Sequence, residues 1–287
     1  MALVPETEVL LSRGWRTDDG WEQRVFLRPA SDAHELLVDR IDGMLPVERD
    51  TALIADLAFD RDGNAVGTAR GRDLTIGDRA RLLLSLRRQM FGNAMPCIVR
   101  CPACNERMDL ELTADDLLLK RDAPPQLCYE DVVEVDGERL RVTFHLPTGG
   151  EVEKAVRSAR ENEETAAKLL ARGCIDKVTK NSHSDSWKIE PPEWPEALYP
   201  EVSARIEELD PQAEIKLRLT CPACSREFED FIDAGEYLFQ ELAACQRSTY
   251  QEIHQLAKAY HWSEADLLKM GSRKRRLYLE LLAADND

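Results

Sequence analysis

Two stretches of this 287-residue chain repeat one pattern: CPACNERMDLELTADDLLL at residues 101–119 and CPACSREFEDFIDAGEYLF at residues 221–239. In each stretch a residue that favours helix N-caps lies twelve positions after the first cysteine, and an acidic residue follows three positions later. Apolar residues match in register, and a short strand-like run precedes each CPAC. The sequence therefore predicts one unit twice: strand, CPAC turn, strand, helix.

The four cysteines of the two CPAC turns have the spacing of metal ligands. Two cysteines separated by two residues can direct both sulfurs at one ion, and the intervening proline restricts the backbone. A closed tetrahedral zinc site needs four ligands, so we expect both turns to meet around one structural Zn²⁺ per chain. The alternative is four unligated thiols in turns. The predicted ligands are Cys101, Cys104, Cys221 and Cys224.

The residue after each CPAC departs from the usual pattern. Zinc-ribbon turns often carry glycine there, whereas this chain has Asn105 and Ser225. Asparagine tolerates the left-handed backbone conformation well, and serine tolerates it less well. The departure weakens the metal-site prediction slightly without removing it.

An iron–sulfur enzyme is the alternative reading. Cys97, Cys101 and Cys104 have a spacing that resembles the cluster motif of radical S-adenosylmethionine enzymes, and Thr148–Glu151 (TGGE) resembles a second motif of that superfamily. This reading leaves the second CPAC unexplained, and the position equivalent to Cys97 is Leu217. The chain also lacks an alternating strand–helix rhythm, and TGGE makes an ordinary capping box. We therefore expect a protein that is not an enzyme.

The remaining reactive side chains form no recognisable constellation, so no catalytic residue is predicted. The histidines are scattered, and the chain has no nucleophile elbow or phosphate-binding loop. His145, at the end of a predicted strand, is a second-choice metal ligand that could replace one thiolate. Three further cysteines are interpreted as isolated small apolar residues: Cys128, Cys174 and Cys245.

Charge and hydrophobic patterning limit the possible partners. The formal net charge is −16, so the surface repels phosphate backbones, and we expect no nucleic-acid partner. No apolar run approaches the ~20 residues that cross a bilayer, and we expect no membrane partner. The first residues lack the basic start of a secretory signal, which predicts a cytoplasmic protein with reduced thiols.

The pattern along the chain predicts an α+β, helix-rich protein. Two zinc-ribbon-like β-knuckle hairpins are joined by one structural metal site, and the excursion between them contains a β-hairpin that turns at Asp136-Gly137, followed by helices. Ser263 with Asp266 marks the start of a short C-terminal helix. Part of this excursion, residues 176–195, is polar and is predicted to be a mobile loop. The predicted regions are an N-terminal arm (1–30), a helical region with the first knuckle (31–122), the hairpin, helices and mobile loop (123–195), and the second knuckle with C-terminal helices (196–287).

The clearest helix covers residues 75–91, where Thr75 and Asp78 form a capping-box pattern and Gly92 ends the helix. Its arginines, at positions 79, 87 and 88, are expected on a solvated face.

The one basic cluster is Arg273–Arg276, for which we expect internal pairing with acids, with an acidic partner as the alternative.

Two segments carry a family resemblance. LTIGDRARLLLSLRRQMFG (74–92), followed by a strand and CPACNERMDLEL (101–112), resembles baseplate proteins of contractile-tailed phages, specifically the T-even-type baseplate hub assembly chaperone family. EIHQLAKAYHWSEADLLKMGSRKRRLYLELL (252–282) is similar to a segment of such tail and injection-particle proteins. The resemblance covers roughly residues 30–120 and 196–284.

The resemblance implies a non-catalytic baseplate assembly protein, either a chaperone or a minor structural component, of a contractile phage tail or related contractile injection system. Its partners would be hub or wedge proteins of the same particle. It would act in the cytoplasm of the producing bacterial cell, and retention in the finished baseplate is left open. The four CPAC cysteines would be metal ligands, and helix 75–91 and the C-terminal helices would make the contacts.

Overall fold

The computed structural model describes residues 7–18, 20–28, 34–119, 124–161, 165–181, 186–189 and 194–284. Helices and small antiparallel sheets occur together, so the predicted α+β class is confirmed. The chain divides into two compact units, residues 1–28 with 45–235 and residues 29–44 with 236–287. The four regions proposed from the sequence stay a prediction. Within the described residues, no helix is long and apolar enough to span a membrane.

Eleven strands and eleven α-helices are found in the described residues. The strands are β1 (Thr7–Thr17), β2 (Gly20–Leu27), β3 (Ala58–Phe59), β4 (Ala94–Arg100), β5 (Arg107–Thr113), β6 (Tyr129–Val135), β7 (Glu138–Phe144), β8 (Ile175–Asn181), β9 (Ser186–Ile189), β10 (Ile215–Thr220) and β11 (Glu227–Ile232). The helices are α1 (His34–Ile41), α2 (Pro46–Leu57), α3 (Gly67–Asp73), α4 (Ile76–Phe91), α5 (Ala114–Leu117), α6 (Gly149–Glu161), α7 (Ala166–Gly173), α8 (Leu198–Leu209), α9 (Ala234–Tyr260), α10 (Glu264–Leu268) and α11 (Ser272–Ala284).

Helix α4 is a central element of the first unit. The Thr75 hydroxyl accepts the backbone N–H of Asp78, and Gly92 follows the helix at φ 88°, which confirms both predicted ends. The Asp78 carboxylate accepts three backbone N–H groups of β1, at residues 12, 13 and 14, over 2.6–3.0 Å. These bonds lie where the β1–β2 register shifts, so one buried carboxylate stabilises an irregular strand.

The predicted solvated arginine face of α4 is wrong for two of its three residues. Arg79 is 2% exposed, and its guanidinium donates to the carbonyl oxygens of Gly71 and Val47 at 2.6 and 2.7 Å. Arg87 is also buried and donates to a carbonyl of the turn that follows α4. Arg88 alone of the three is half-exposed, and it pairs with an aspartate of α5. The long side chains reach backbone acceptors that sequence spacing does not reveal.

Strands β6 to β9 form a four-stranded antiparallel sheet in chain order. The hairpin turn predicted at Asp136-Gly137 is confirmed, because both residues have positive φ, 52° and 80°. The predicted mobile loop over 176–195 is wrong where β8 and β9 lie, and residues 182–185 and 190–193 fall outside the described residues. The buried core of the sheet holds Val133, Val135, Leu140, Val142, Phe144, Ile175, Val178, Trp194, Leu198 and Val202.

In the second unit, Ser263 caps α10 by accepting the backbone N–H of Asp266, as predicted. A core of Ile253, Leu256 and Leu267 is surrounded by aromatic side chains. Arg275 is 1% exposed, and its Nε donates to a Glu252 carboxylate at 3.0 Å. The predicted internal pairing is therefore correct for this member of the basic cluster, and also for Arg276, whose Nε lies 3.8 Å from the other oxygen of the Glu252 carboxylate. The neighbours at 273 and 274 are exposed.

Candidate metal centre

Two short hairpins, β4–β5 and β10–β11, carry the CPAC turns, named here the first and second knuckles. Val99 pairs with Met108 in the first hairpin, and Leu219 pairs with Phe228 in the second. Each residue of the second pair lies 120 positions after its counterpart, so the two hairpins have the same register. Helices α5 and α9 follow them, and the repeated strand, turn, strand, helix unit is confirmed.

The two turns share one backbone structure. In the first knuckle the N–H of Cys101 donates to the Glu106 carbonyl and the N–H of Asn105 donates to the Cys101 carbonyl, both at 2.9 Å. The second knuckle repeats both bonds at equivalent positions, also at 2.9 Å. Asn105 and Ser225 have φ values of 61° and 59°. Both therefore adopt the left-handed conformation that glycine fills in related turns.

The four sulfurs of the knuckle cysteines, Cys101, Cys104, Cys221 and Cys224, lie within 4.8 Å of one another. Across the knuckles, Cys101 lies 3.7 Å from Cys224 and Cys104 lies 3.6 Å from Cys221, measured between sulfurs. A tetrahedral Zn²⁺ with Zn–S bonds of about 2.3 Å separates its sulfurs by about 3.8 Å. A disulfide would need about 2.05 Å. The sulfur positions therefore fit a four-thiolate metal site.

The cluster is closed on one side by a small apolar core. Cys101 and Cys221 are 2% and 1% exposed, whereas the second cysteine of each knuckle is exposed. The buried pair packs with side chains of both hairpins, which shield the sulfurs from water. This core contains Val99, Met108, Leu110, Leu219 and Phe228.

Crowding of the thiols separates the pKa values of Cys101 and Cys104. The backbone N–H groups of Cys104 and Ala103, together with neighbouring thiols, lower the pKa of Cys101 to about 6. The backbone N–H of Glu106 favours a Cys104 thiolate, but the adjacent sulfurs outweigh it and raise the pKa of Cys104 to about 12. One thiolate forms readily, and further thiolates repel it. Holding all four deprotonated requires a cation between them.

The three-cysteine motif of the enzyme alternative is not brought together. Cys97 lies four positions before Cys101 along β4, a separation of about 13 Å in an extended strand. Its thiol is close to the Met95 carbonyl instead, at 3.6 Å. The TGGE segment forms the predicted capping box, because the Thr148 N–H and hydroxyl both donate to Glu151 at 2.9 Å. Neither motif therefore has the environment that an iron–sulfur enzyme needs.

His145 is not part of the four-sulfur cluster, so its reading as a replacement ligand there is wrong. Its ring contacts Glu151 and Asp176, and Cys174 lies beside them. Sequence reasoning treated Cys174 as an isolated apolar residue and missed this group. Its members lie on different elements of the fold, so no local spacing signals it.

The fold and site define a small α+β protein in which two repeated hairpins bring four cysteines together, an arrangement compatible with metal binding. A family model described as T4 bacteriophage base plate protein matches residues 54–234, and the chain belongs to this family. The matched segment contains both knuckles, and it confirms the resemblance to phage baseplate proteins. No curated protein and no solved structure matches the chain.

Proposed function

We propose that this chain is a non-catalytic, zinc-binding baseplate assembly protein of a contractile phage tail or related injection particle. It acts as a chaperone or as a minor structural component, and its partners are hub or wedge proteins of the same particle. The observation that carries this proposal is the family match, which spans both knuckles. The site of action is the cytoplasm of the producing bacterial cell, with or without later incorporation into the baseplate.

The proposed ion is Zn²⁺, because four soft thiolates suit it and complete its tetrahedral coordination. A site with four protein ligands has no open position for water or substrate, so its role is structural. The ion joins hairpins that are 120 positions apart in the chain. It thereby stabilises the relative position of two surfaces in the first unit.

We propose two contact surfaces from exposed apolar side chains. Ile98 on β4 and Phe231 on β11 are 60% and 54% exposed on the hairpins that the ion joins. In the second unit, Leu277 and Leu281 are 54% and 50% exposed, four positions apart on α11. Residues at this spacing lie on one helix face, as in helices that enter a partner's groove. Helix α4 is not proposed as a contact element, because its leucines and two arginines are buried.

Exposed cations accompany the α11 leucines. Positions 273 and 274 carry exposed Arg and Lys at the start of the helix, where the first turn has no acidic residue, whereas Arg276 already pairs with Glu252. Positive charge at a helix N-terminus opposes the helix dipole, so this placement costs stability unless a partner compensates it. On a chain of net charge −16, these residues favour an acidic protein surface as the partner of α11.

Co-expression of the tagged chain with the hub and wedge proteins of its particle tests the function. The wild-type chain is expected to retain one of these proteins through affinity and size-exclusion steps. Leu277→Asp with Leu281→Asp is expected to reduce retention at least tenfold, while Leu10→Asp, at a site 63% exposed in the first unit, leaves it unchanged. Recovery of the wild-type chain alone from every combination would refute the function.

The composition of finished particles separates the two roles. A structural component is found by mass spectrometry at constant stoichiometry in purified particles. A chaperone is found in the producing cell with its partner and is absent from those particles.

A further inference from the structure

A second group of side chains with metal-binding chemistry lies away from the knuckles, in the first unit. His145 directly follows β7, and Cys174 is the C-cap of α7. The backbone N–H of His145 donates to the Cys174 carbonyl at 3.0 Å, so the two residues are held side by side. Glu151 is in the first turn of α6, where Oε2 accepts the capping bonds from Thr148 and leaves Oε1 for other contacts.

A β-bulge adds the fourth member. In the β7–β8 ladder, Thr143 pairs with Lys177 and Phe144 pairs with Ile175, so Asp176 is the extra residue on β8. A bulge turns a side chain out of the regular alternation of a strand. Here it directs the Asp176 carboxylate at His145, and Oδ1 lies 2.9 Å from Nδ1.

The geometry of this group is that of a histidine ligand with its supporting carboxylate. Asp176 holds a proton on Nδ1, so Nε2 is the nitrogen that a metal would take, in place of the proton that Nε2 shares with Glu151 when no ion is bound. Nε2 faces Glu151 Oε1 at 2.6 Å, and the ligand atoms of His145, Glu151 and Cys174 all lie within 4.8 Å of one another. An ion between Nε2 and Oε1 would widen their contact to about 3.3 Å.

Charge and burial favour a cation in this place. One carboxylate lies at each ring nitrogen of His145, and among the described residues no lysine or arginine forms an ion pair with Glu151 or Asp176. The His145 side chain is 19% exposed, and Cys174 is fully buried. Carboxylates that are partly removed from water need positive charge nearby. A protonated His145 supplies one charge, and a divalent ion supplies two.

We infer that His145, Glu151 and Cys174 form a second zinc site, with Asp176 as the positioning residue of His145. Histidine nitrogen, carboxylate oxygen and cysteine sulfur are all zinc ligands, and three protein ligands leave a fourth position open. A cavity of about 490 Å³, lined by Glu151 and Trp194 among others, lies beside Glu151. The chain would then bind two zinc ions with different coordination, where the sequence predicts one.

A cysteine nucleophile activated by histidine is the competing interpretation of the same residues. Reactive cysteines are partly exposed thiolates, whereas Cys174 is 0% exposed. Burial, with the carboxylates of Glu151 and Asp176, raises the pKa of Cys174 to about 12. Glu151 also shares a hydrogen bond with Nε2 of His145, the nitrogen that would accept the thiol proton. The group therefore lacks the features of a nucleophile.

Zinc stoichiometry of the full-length chain, equilibrated with buffered free Zn²⁺, tests the inference. The wild type is expected to hold two equivalents. Cys174→Ser and His145→Ala are each expected to hold one, as is the double variant Cys101→Ser with Cys104→Ser. Combining Cys174→Ser with that double variant is expected to abolish binding. Cys128→Ser and His254→Ala, at exposed sites, are the matched controls and should keep two.

Cobalt substitution identifies the site by its ligands. In the Cys101→Ser, Cys104→Ser variant, the remaining Co²⁺ is expected to show sulfur charge-transfer absorption of about one thiolate, and Cys174→Ser should remove it. Asp176→Asn is expected to weaken this site 10–100-fold without abolishing it, as for other supporting carboxylates. Circular dichroism and retention of the knuckle ion show whether each variant remains folded.

Two outcomes would overturn the inference: a wild type that holds one equivalent, or a Cys174→Ser variant that remains folded and keeps two. In either case His145 is the protonated centre of an ionic network and nothing more. Neither outcome bears on the proposed baseplate role, which is measured by partner retention.

Discussion

The knuckle site makes a quantitative prediction for Cys221→Ser. Cys221 is 1% exposed, and its sulfur lies 3.6 Å from that of Cys104, near the edge length of a zinc–thiolate tetrahedron. Structural sites in small peptides bind Zn²⁺ with a free energy of about 10–16 kcal/mol. An even share of this binding free energy for one of four thiolates is about 2.5–4 kcal/mol. A serine hydroxyl is a shorter and harder ligand and does not replace that share. The affinity of the knuckle site is therefore expected to fall about 10²–10³-fold.

Competition with a chelator of known zinc affinity measures this change on the full-length chain. The knuckle ion is followed by cobalt absorption, whose four-thiolate intensity distinguishes it from any site with fewer sulfurs. Cys97→Ser is the matched control, because it removes a thiol on β4 that lies outside the four-sulfur group.

Binding within threefold of wild type for Cys221→Ser would refute the four-thiolate site. The same conclusion would follow if Cys97→Ser weakened binding as much as Cys221→Ser, since Cys97 would then be a ligand. Equal losses for each of the four knuckle cysteines, with none for Cys97, are the expected pattern.

Three further predictions concern stability, measured by thermal and denaturant unfolding. Ser225→Gly is expected to stabilise the fold by about 0.5–1 kcal/mol, because Ser225 has φ 59°. Asn105→Gly should stabilise it less, because asparagine tolerates this conformation. A lower free energy of unfolding for Ser225→Gly would contradict this reasoning. Asp78→Ala is expected to cost at least about 3 kcal/mol, since three backbone N–H groups lose their acceptor, whereas the exposed Asp73→Ala should be neutral. Gly77→Ala should also destabilise, because its β-carbon would lie 1.9 Å from a carboxylate oxygen; wild-type stability would show that α4 can shift.

Local features were the ones that sequence reasoning predicted well. Thr75, Thr113 and Ser263 each cap a helix through the residue three positions later, because the donor and acceptor are neighbours in the chain. The turn at Asp136-Gly137 follows from the same kind of short-range preference. The repeated hairpin register was also predictable, since the pattern is written twice at a constant spacing.

Features that depend on packing were predicted poorly. Arg79 and Arg87 look like surface residues in sequence, yet both are buried. Arg79 donates to carbonyl groups of other segments, and Arg87 donates to a carbonyl of the turn that follows α4. Residues 176–181 look like a polar loop, but Val178 completes the core of a sheet. A polar strand with one buried face has too few apolar residues to be distinguished from a loop.

The sequence by itself determined the chemistry of the knuckles: which cysteines form each pair, the turn that presents them, and the strand and helix on either side. These depend on contacts between residues a few positions apart. Only the tertiary structure decided that both pairs meet within 4.8 Å, and that His145 lies with Glu151, Asp176 and Cys174. The first meeting depends on packing between the side chains of the two hairpins, and the second on a one-residue bulge in β8. Neither contact joins residues that are neighbours in the chain.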